Sequence, residues 1–264
     1  MSKFQEAGGL MNYEELLNAA TALGDSLLEN GAEIYRVEES MHRMFQAYGA
    51  QGDVFAIPTC IVASVSAKDG RTFSKTKRIY TRGTNFDKVK ELNDLCRRVC
   101  RDTPPLESVR EELRSIESRP VYRSLWQILA CALVAFSFTL FFGGNLADAF
   151  CAAPAGALVK LATIKMEKFH TNQFFTYIAG SALGALIALT AVHLHLGVNL
   201  DKIIIGVFMN LVPGVAMTNA IRDIIAGDLV SGIAKVVEAL MIGVAIALGA
   251  GIAIFAARLV WGVV

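Results

Sequence analysis

The sequence carries almost no surplus of charge: 25 Lys and Arg stand against 24 Asp and Glu over 264 residues, a formal net charge of +1. A basic field able to gather nucleic acid is therefore missing, and nucleic acid is excluded as a partner. Charge is also scarce by position. Up to Arg123 there are 18 basic and 18 acidic residues, but from Ser124 on only 7 and 6. The five cysteines fit no secreted disulfide framework. Cys96 and Cys100 lie four apart on an expected helix without other obvious ligands, so buried or idle thiols are favoured over a zinc or redox site. No metal and no cofactor are expected. The opening residues lack a basic stretch followed by an apolar core, so the chain is expected to meet a membrane first after Arg123, with the preceding residues in the cytoplasm. No Gly-rich phosphate loop is present, which argues against ATP-driven pumping. Ser64, Ser66 and His42 are available for hydrolysis, but no nucleophile elbow or triad spacing accompanies them.

What is plentiful is apolar sequence, 54% of the chain. A membrane-spanning helix needs about 20 mostly apolar residues. Five stretches are long enough: 124–144, 145–164, 174–196, 202–221 and 236–260. The second is the weakest, with Asp148 and Lys160 near its ends, both expected to reach toward the interface. Arg114, Arg119, Arg123, Lys165, Lys168, Arg222 and Lys235 fall beside alternate loops, which sets the amino terminus inside and the carboxyl terminus outside. The fold class expected is an α-helical polytopic membrane protein of about five spans (residues 121–264), with an N-terminal cytoplasmic α+β domain (residues 1–120). Small residues recur at helix-contact spacing in Ala149/Ala153/Ala157, Gly180/Gly184/Ala188 and Gly243/Ala247/Gly251. These stripes are read as packing surfaces, some of which meet another chain in a homo- or hetero-oligomer.

Within the charged part, Asn12–Gly31 and Ala32–Gly49 have helical periodicity. Ile34, Val37, Met41, Phe45 and Tyr48 form one apolar face. Two strands are expected at "CIVASVSA" and "RTFSKTKRIY", with Asp69-Gly70 between them as a hairpin signal. A helix capped near Asn85 follows, with Val89, Leu92, Cys96 and Val99 inward, and then a helix leading to the membrane.

Polar residues inside a span are costly and mark pathways or sites by default. The stretch "MNLVPGVAMTNAIRDIIAGD" has the densest set. Pro213 lacks an amide proton and Gly214 weakens the helix further, so the span is expected to break there. Asn210 lies just before the break, and Asn219 and Asp223 share one face. Broken helices of transporters use such freed backbone to hold small polar solutes. A proline kink with asparagines joining helices is the competing reading. Glu238 opens the last span as either an interfacial partner of Lys235 or a second carboxylate in the same cavity.

Three segments, "GAEIYRVEESMHRMFQAYG", "SVSAKDGRTFSKTKRIYTRGTNFDKVKELNDL" and "LVPGVAMTNAIRDIIAGDLVSGIAKVVEA", occur in an order that resembles the threonine/serine exporter family. The resemblance runs from about Asn12 to the end. It implies export of small amino acids or C4 dicarboxylates such as succinate, driven by the proton gradient across the cell inner membrane. It also implies a small second membrane subunit, because the family's long form carries a related second half and its split relatives supply that half separately. By motif match Gly31, Glu33, Arg36, Val37 and Glu38 form one signature, and Pro213, Gly214, Asn219, Asp223, Gly227, Asp228 and Gly232 another. The resemblance assigns no role to any of them.

The sequence thus points to a secondary transporter embedded in the lipid bilayer and handling a small polar solute. Asn210, Pro213, Gly214, Asn219, Asp223 and Glu238 are expected to bind or couple the solute. Glu33, Arg36 and Glu38 are expected to face the loop "RDIIAGDLVSG", with Arg36 opposite Asp228. The rival readings are a membrane scaffold or sensor, and an enzyme acting through its cytoplasmic domain.

Overall fold

Helix and strand signals in this chain are mostly local, and most elements follow from them. A computed structural model describes residues 12–67, 69–120, 122–169 and 171–262. The chain divides into two units: one takes the residues up to Pro120 together with Thr218–Lys235, the other Val121–Met217 with Val236 onward.

In the first unit, α1 (Tyr13–Glu29) starts at Asn12, whose side chain accepts the Glu15 amide, while Glu14 and Glu15 sit in the favourable first turn. It ends in a Schellman turn: Ala32 N–H donates to Leu27 O and Gly31 N–H to Leu28 O. Gly31 stands there at φ +90°, and a Cβ on it would come within 2.8 Å of the Gly83 carbonyl. After this joint runs α2 (Ile34–Ala47), which buries Ile34, Val37, Met41, Met44 and Phe45. The predicted apolar face holds, with Tyr48 buried just beyond it.

Three strands follow as an antiparallel meander, β1 (Gln51–Ile57), β2 (Cys60–Ser66) and β3 (Thr72–Arg78). Strand β2 is central and turns Ile61, Ala63 and Val65 inward, as alternation predicts. The hairpin to β3 pairs Ser66 with Thr72. Strand β1 was not expected. Its apolar residues are consecutive and its only fully buried residue is Ala56, so alternation leaves little trace. Helix α3 (Phe86–Asp102) is capped by Asn85, whose side chain accepts the Lys88 amide, and α4 (Leu106–Glu117) begins after Pro105. The four α3 residues expected inward are buried.

The second unit holds α5 (Ser124–Phe141), α6 (Leu146–Lys168), α7 (Gln173–His193), α8 (Leu200–Phe208) and the greater part of α10 (Leu229–Trp261). Among the described residues, α5, α6, α7 and α10 are long and apolar enough to cross a membrane. The expected span 202–221 is not a single helix. It is divided into α8 and α9 (Gly214–Ala226), because the chain turns at Met209–Val212 and Pro213 has no N–H to continue the ladder. The unit boundary falls within α9, so its residues from Thr218 belong with the first unit.

Two expectations for this unit are corrected. Asp148 does not reach toward the interface but is fully buried. It closes a capping box with Asn145 and also accepts the Val198 N–H (2.7 Å), the Asn199 N–H (3.0 Å) and the Asn199 side-chain amide (2.7 Å). A carboxylate at a helix N-terminus thus ties the start of α6 to the turn before α8, where four donors replace lost water. The buried stripe of α6 is Ala149, Ala152, Ala155, Gly156 and Val159, not Ala149/Ala153/Ala157. In α7, Gly180 and Gly184 face Val159, with Leu211 and Val207 respectively beside them, so that stripe packs within the chain.

Replacing Asp148 by Ala orphans the Val198 and Asn199 amides and should cost about 3 kcal/mol or more. Thermal unfolding of the detergent-solubilised protein is expected to show a clear drop for Asp148→Ala and almost none for Asp201→Ala, whose carboxylate is exposed.

Candidate functional site

The residues singled out by sequence fall into two groups. Asn210, Pro213, Gly214 and Glu238 lie in the second unit, whereas Glu33, Arg36, Glu38, Asn219, Asp223 and Asp228 lie in the first. In the second unit Asn210 donates its side-chain amide to the Cys131 carbonyl of α5 (3.2 Å) and to Val207 O (3.3 Å). Pro213 caps α9, its carbonyl accepting the Met217 N–H. Gly214 is exposed, and Glu238 is half-buried on α10.

The second group converges on the joint between α1 and α2. Helix α2 begins at Glu33, whose own side chain does not cap it. The orphan amide of Ile34 instead donates to Asp223 Oδ1 of α9 (3.3 Å). A carboxylate remote in sequence therefore stands at the N-terminus of α2, where the helix dipole and free N–H groups favour negative charge. Asp223 is fully buried, and its other oxygen takes the Lys235 ammonium at 2.6 Å. One helical turn earlier, Asn219 donates its amide to the Gly31 carbonyl at 3.2 Å. The i,i+4 spacing of Asn219 and Asp223 sets both on the face that meets this joint.

Glu33 receives two arginines. Arg36 Nε lies 2.9 Å from Glu33 Oε2, and Arg222 of α9 pairs with Glu33 Oε1. Burial pushes the Glu33 carboxyl up, but its own backbone N–H and the two guanidinium groups outweigh that and hold it below the usual range. The expected Arg36–Asp228 pairing does not occur among the described ion pairs: Arg36 is engaged by Glu33 one turn away, and Arg222 makes the link to α9.

Asp228 instead faces acid. Glu38 accepts the Ala56 N–H at 2.7 Å, and burial together with the Asp228 charge pushes its carboxyl up, against the Ala56 bond and His42. Asp228 is pushed up by burial and by Asp223, with Lys235 opposing. The signs differ between the two sets. Glu33, lowered in the fold, contributes stability that is lost as pH falls through its folded pKa. Glu38 and Asp228, raised in the fold, contribute stability at low pH that is lost as pH rises through theirs.

The expected loop "RDIIAGDLVSG" is largely helical. Helix α9 closes in a second Schellman turn, with Asp228 N–H on Asp223 O and Gly227 N–H on Ile224 O. Gly227 takes φ +100°. Asp228 then opens α10 by accepting the Gly232 amide, and a Cβ on Gly232 would sit 2.9 Å from the Ala220 carbonyl. The motif glycines thus permit two tight joints and one close helix approach. Sequence reasoning had no means to reveal Asp223 as the cap of α2. Only the missing cap at Glu33 hinted that a donor needed an outside partner.

A double-mutant cycle on Glu33→Gln and Arg222→Gln, read by thermal unfolding, should give a coupling of about 1 kcal/mol, since Arg222 is half exposed. Additive effects would mean the two side chains act independently.

The chain matches a family model described as "Putative threonine/serine exporter" over residues 18–256. It is 21% identical over 249 residues to a "Probable threonine/serine exporter" of Mycobacterium tuberculosis, covering 92% of this chain and 47% of that protein. To a "Threonine/serine exporter" of Corynebacterium glutamicum it is 23% identical over 247 residues, covering 90% of this chain and 50% of that protein. The chain therefore spans about half the length of these two relatives. A third relative, a "Probable succinate transporter subunit YjjP" of Klebsiella aerogenes, is 24% identical over 242 residues, with 89% and 90% covered. No solved structure matches. With the family model covering most of its length, the chain belongs to the threonine/serine exporter family.

Proposed function

We propose that this chain is one component of a secondary exporter of the cell inner membrane that moves threonine, serine or a C4 dicarboxylate such as succinate outward, driven by the proton gradient. The observation that carries the proposal is the family match over residues 18–256, joined by relatives whose printed names are those of exporters. In this reading the residues up to 120 lie in the cytoplasm and the carboxyl terminus lies outside. A second membrane subunit completes the solute path, in keeping with the word "subunit" in the name of the Klebsiella relative. Asn210, Pro213 and Gly214, at the break between α8 and α9, and Glu238 on α10 contribute to that path.

Coupling is assigned to Asp228, between α9 and α10, and to Glu38 of α2 beside it. Burial pushes both carboxyls up, helped at Glu38 by the Asp228 charge and at Asp228 by the Asp223 charge, so a proton taken up by Asp228 relieves repulsion on both sides of it. Relief at Asp228 leaves Asp223 to Lys235 and the α2 amide. Transport is then tied to the protonation of Asp228, just before α10, and of Glu38 on α2.

Efflux decides the matter. The chain is expressed in cells lacking their own exporters, with and without a small membrane partner, and the cells are loaded with threonine, serine or succinate. Efflux of one of these solutes is expected with both chains present. It should fall at least tenfold in Asp223→Asn at unchanged protein level in the membrane. No efflux of any of the three under either condition would contradict the exporter reading.

A further inference from the structure

Helix α2 presents its buried face to the core, but its other side forms a cavity of about 250 Å³ with α3. That volume lies below the ~300–1,000 Å³ of sites for drug-sized ligands, so an occupant would be smaller. Its walls are unusually rich in guanidinium: Arg36 and Arg43 from α2, and Arg97 from α3. Glu39 is the one acid among the lining residues, while Glu33 and Asp94 stand just outside, beside Arg36 and Arg97. Tyr35, Ser40 and Asn93 supply neutral hydrogen-bonding groups beside them.

The arginines are not all equally committed. Arg43 is held by Glu39 at 2.6 Å, and Arg36 by Glu33 at 2.9 Å. Among the described residues, the ion pair given to Arg97 is a long contact of 3.8 Å to Asp94, and its side chain is 73% exposed. Arg97 is thus the most weakly engaged of the three, and Arg36 and Arg43 are positioned beside it by their carboxylates; guanidinium binds planar oxyanions through two parallel hydrogen bonds. Arg36 also belongs to the chain of contacts Arg36–Glu33–Arg222 that reaches α9. An anion that takes Arg36 competes with Glu33 for it.

We propose that the cleft between α2 and α3 is a binding site for a small dianionic oxyanion, a dicarboxylate or inorganic phosphate, held by Arg36, Arg43 and Arg97, and that its occupancy is felt at the joint of α2 with α9 through Arg36 and Glu33. The inference rests on the exporter reading only for the choice of a dicarboxylate as a probe. Binding is measured on the purified chain without efflux, so failure of this site and failure of that reading are told apart.

The experiment is isothermal titration of the full chain in detergent, at fixed ionic strength, with succinate, inorganic phosphate and threonine. A dianion is expected to bind at least tenfold more tightly than zwitterionic threonine. Preference between succinate and phosphate identifies the source. Arg43→Gln with Arg97→Gln should weaken that binding at least tenfold. Arg97→Gln alone, at an exposed position that leaves the core intact, should weaken it several-fold. Equal affinity in the single and double variants, or no heat from either dianion, overturns the proposal.

Discussion

A carboxylate with no access to solvent must find partners inside the protein, and Asp223 finds two of opposite character. One oxygen accepts the first free amide of α2, and the other takes the ammonium of Lys235. Both partners are needed. The amide and the helix dipole alone would leave a buried charge half compensated, and the lysine alone would leave Ile34 N–H without an acceptor. Because Asp223 and Lys235 lie 12 residues apart while Ile34 lies 189 residues away, this one side chain draws together three distant points of the chain.

Around that contact the other polar groups arrange by charge. Asn219 satisfies the carbonyl of Gly31, and Arg222 meets Glu33. The α1–α2 joint is thereby gripped from α9 by one amide, one cation and one carboxylate, at positions 219, 222 and 223. Asp228 feels Lys235 but also the Asp223 charge and burial, Glu38 lies near it, and both the Glu38 and Asp228 carboxyls are displaced upward. The same short segment thus carries ion-paired side chains and also Asp228, whose carboxyl, like that of Glu38 on α2, is displaced upward.

Sequence made legible what is set by neighbours in the chain. The apolar face of α2, the alternation of β2 and the Asn85 cap each depend on residues a few positions apart. Strand β1 escaped because its apolar residues run together and it lies at the sheet edge, where burial does not impose alternation. Hydropathy marked 202–221 as one span, since composition is blind to where a broken segment packs. The break at Pro213 was readable; the grouping of Thr218–Lys235 with the first 120 residues was not. Asp148 and Asp223 mark the same boundary. Both stand in or beside apolar sequence, and the amides that justify their burial lie about 50 and 189 residues away. Of the candidate site, the residue types were visible in sequence, but Arg222 rather than Arg36 proved to be the cation that links α2 to α9.

The most direct test of the central contact is hydrogen–deuterium exchange at the start of α2. In the full-length protein, peptides covering residues 31–37 are followed in the native chain and in Asp223→Ala. If Asp223 caps α2, the Ile34 amide exchanges slowly in the native protein and at least tenfold faster in the variant, while the amides of β2 keep their protection. Unchanged exchange at Ile34 in a folded Asp223→Ala protein would contradict the account.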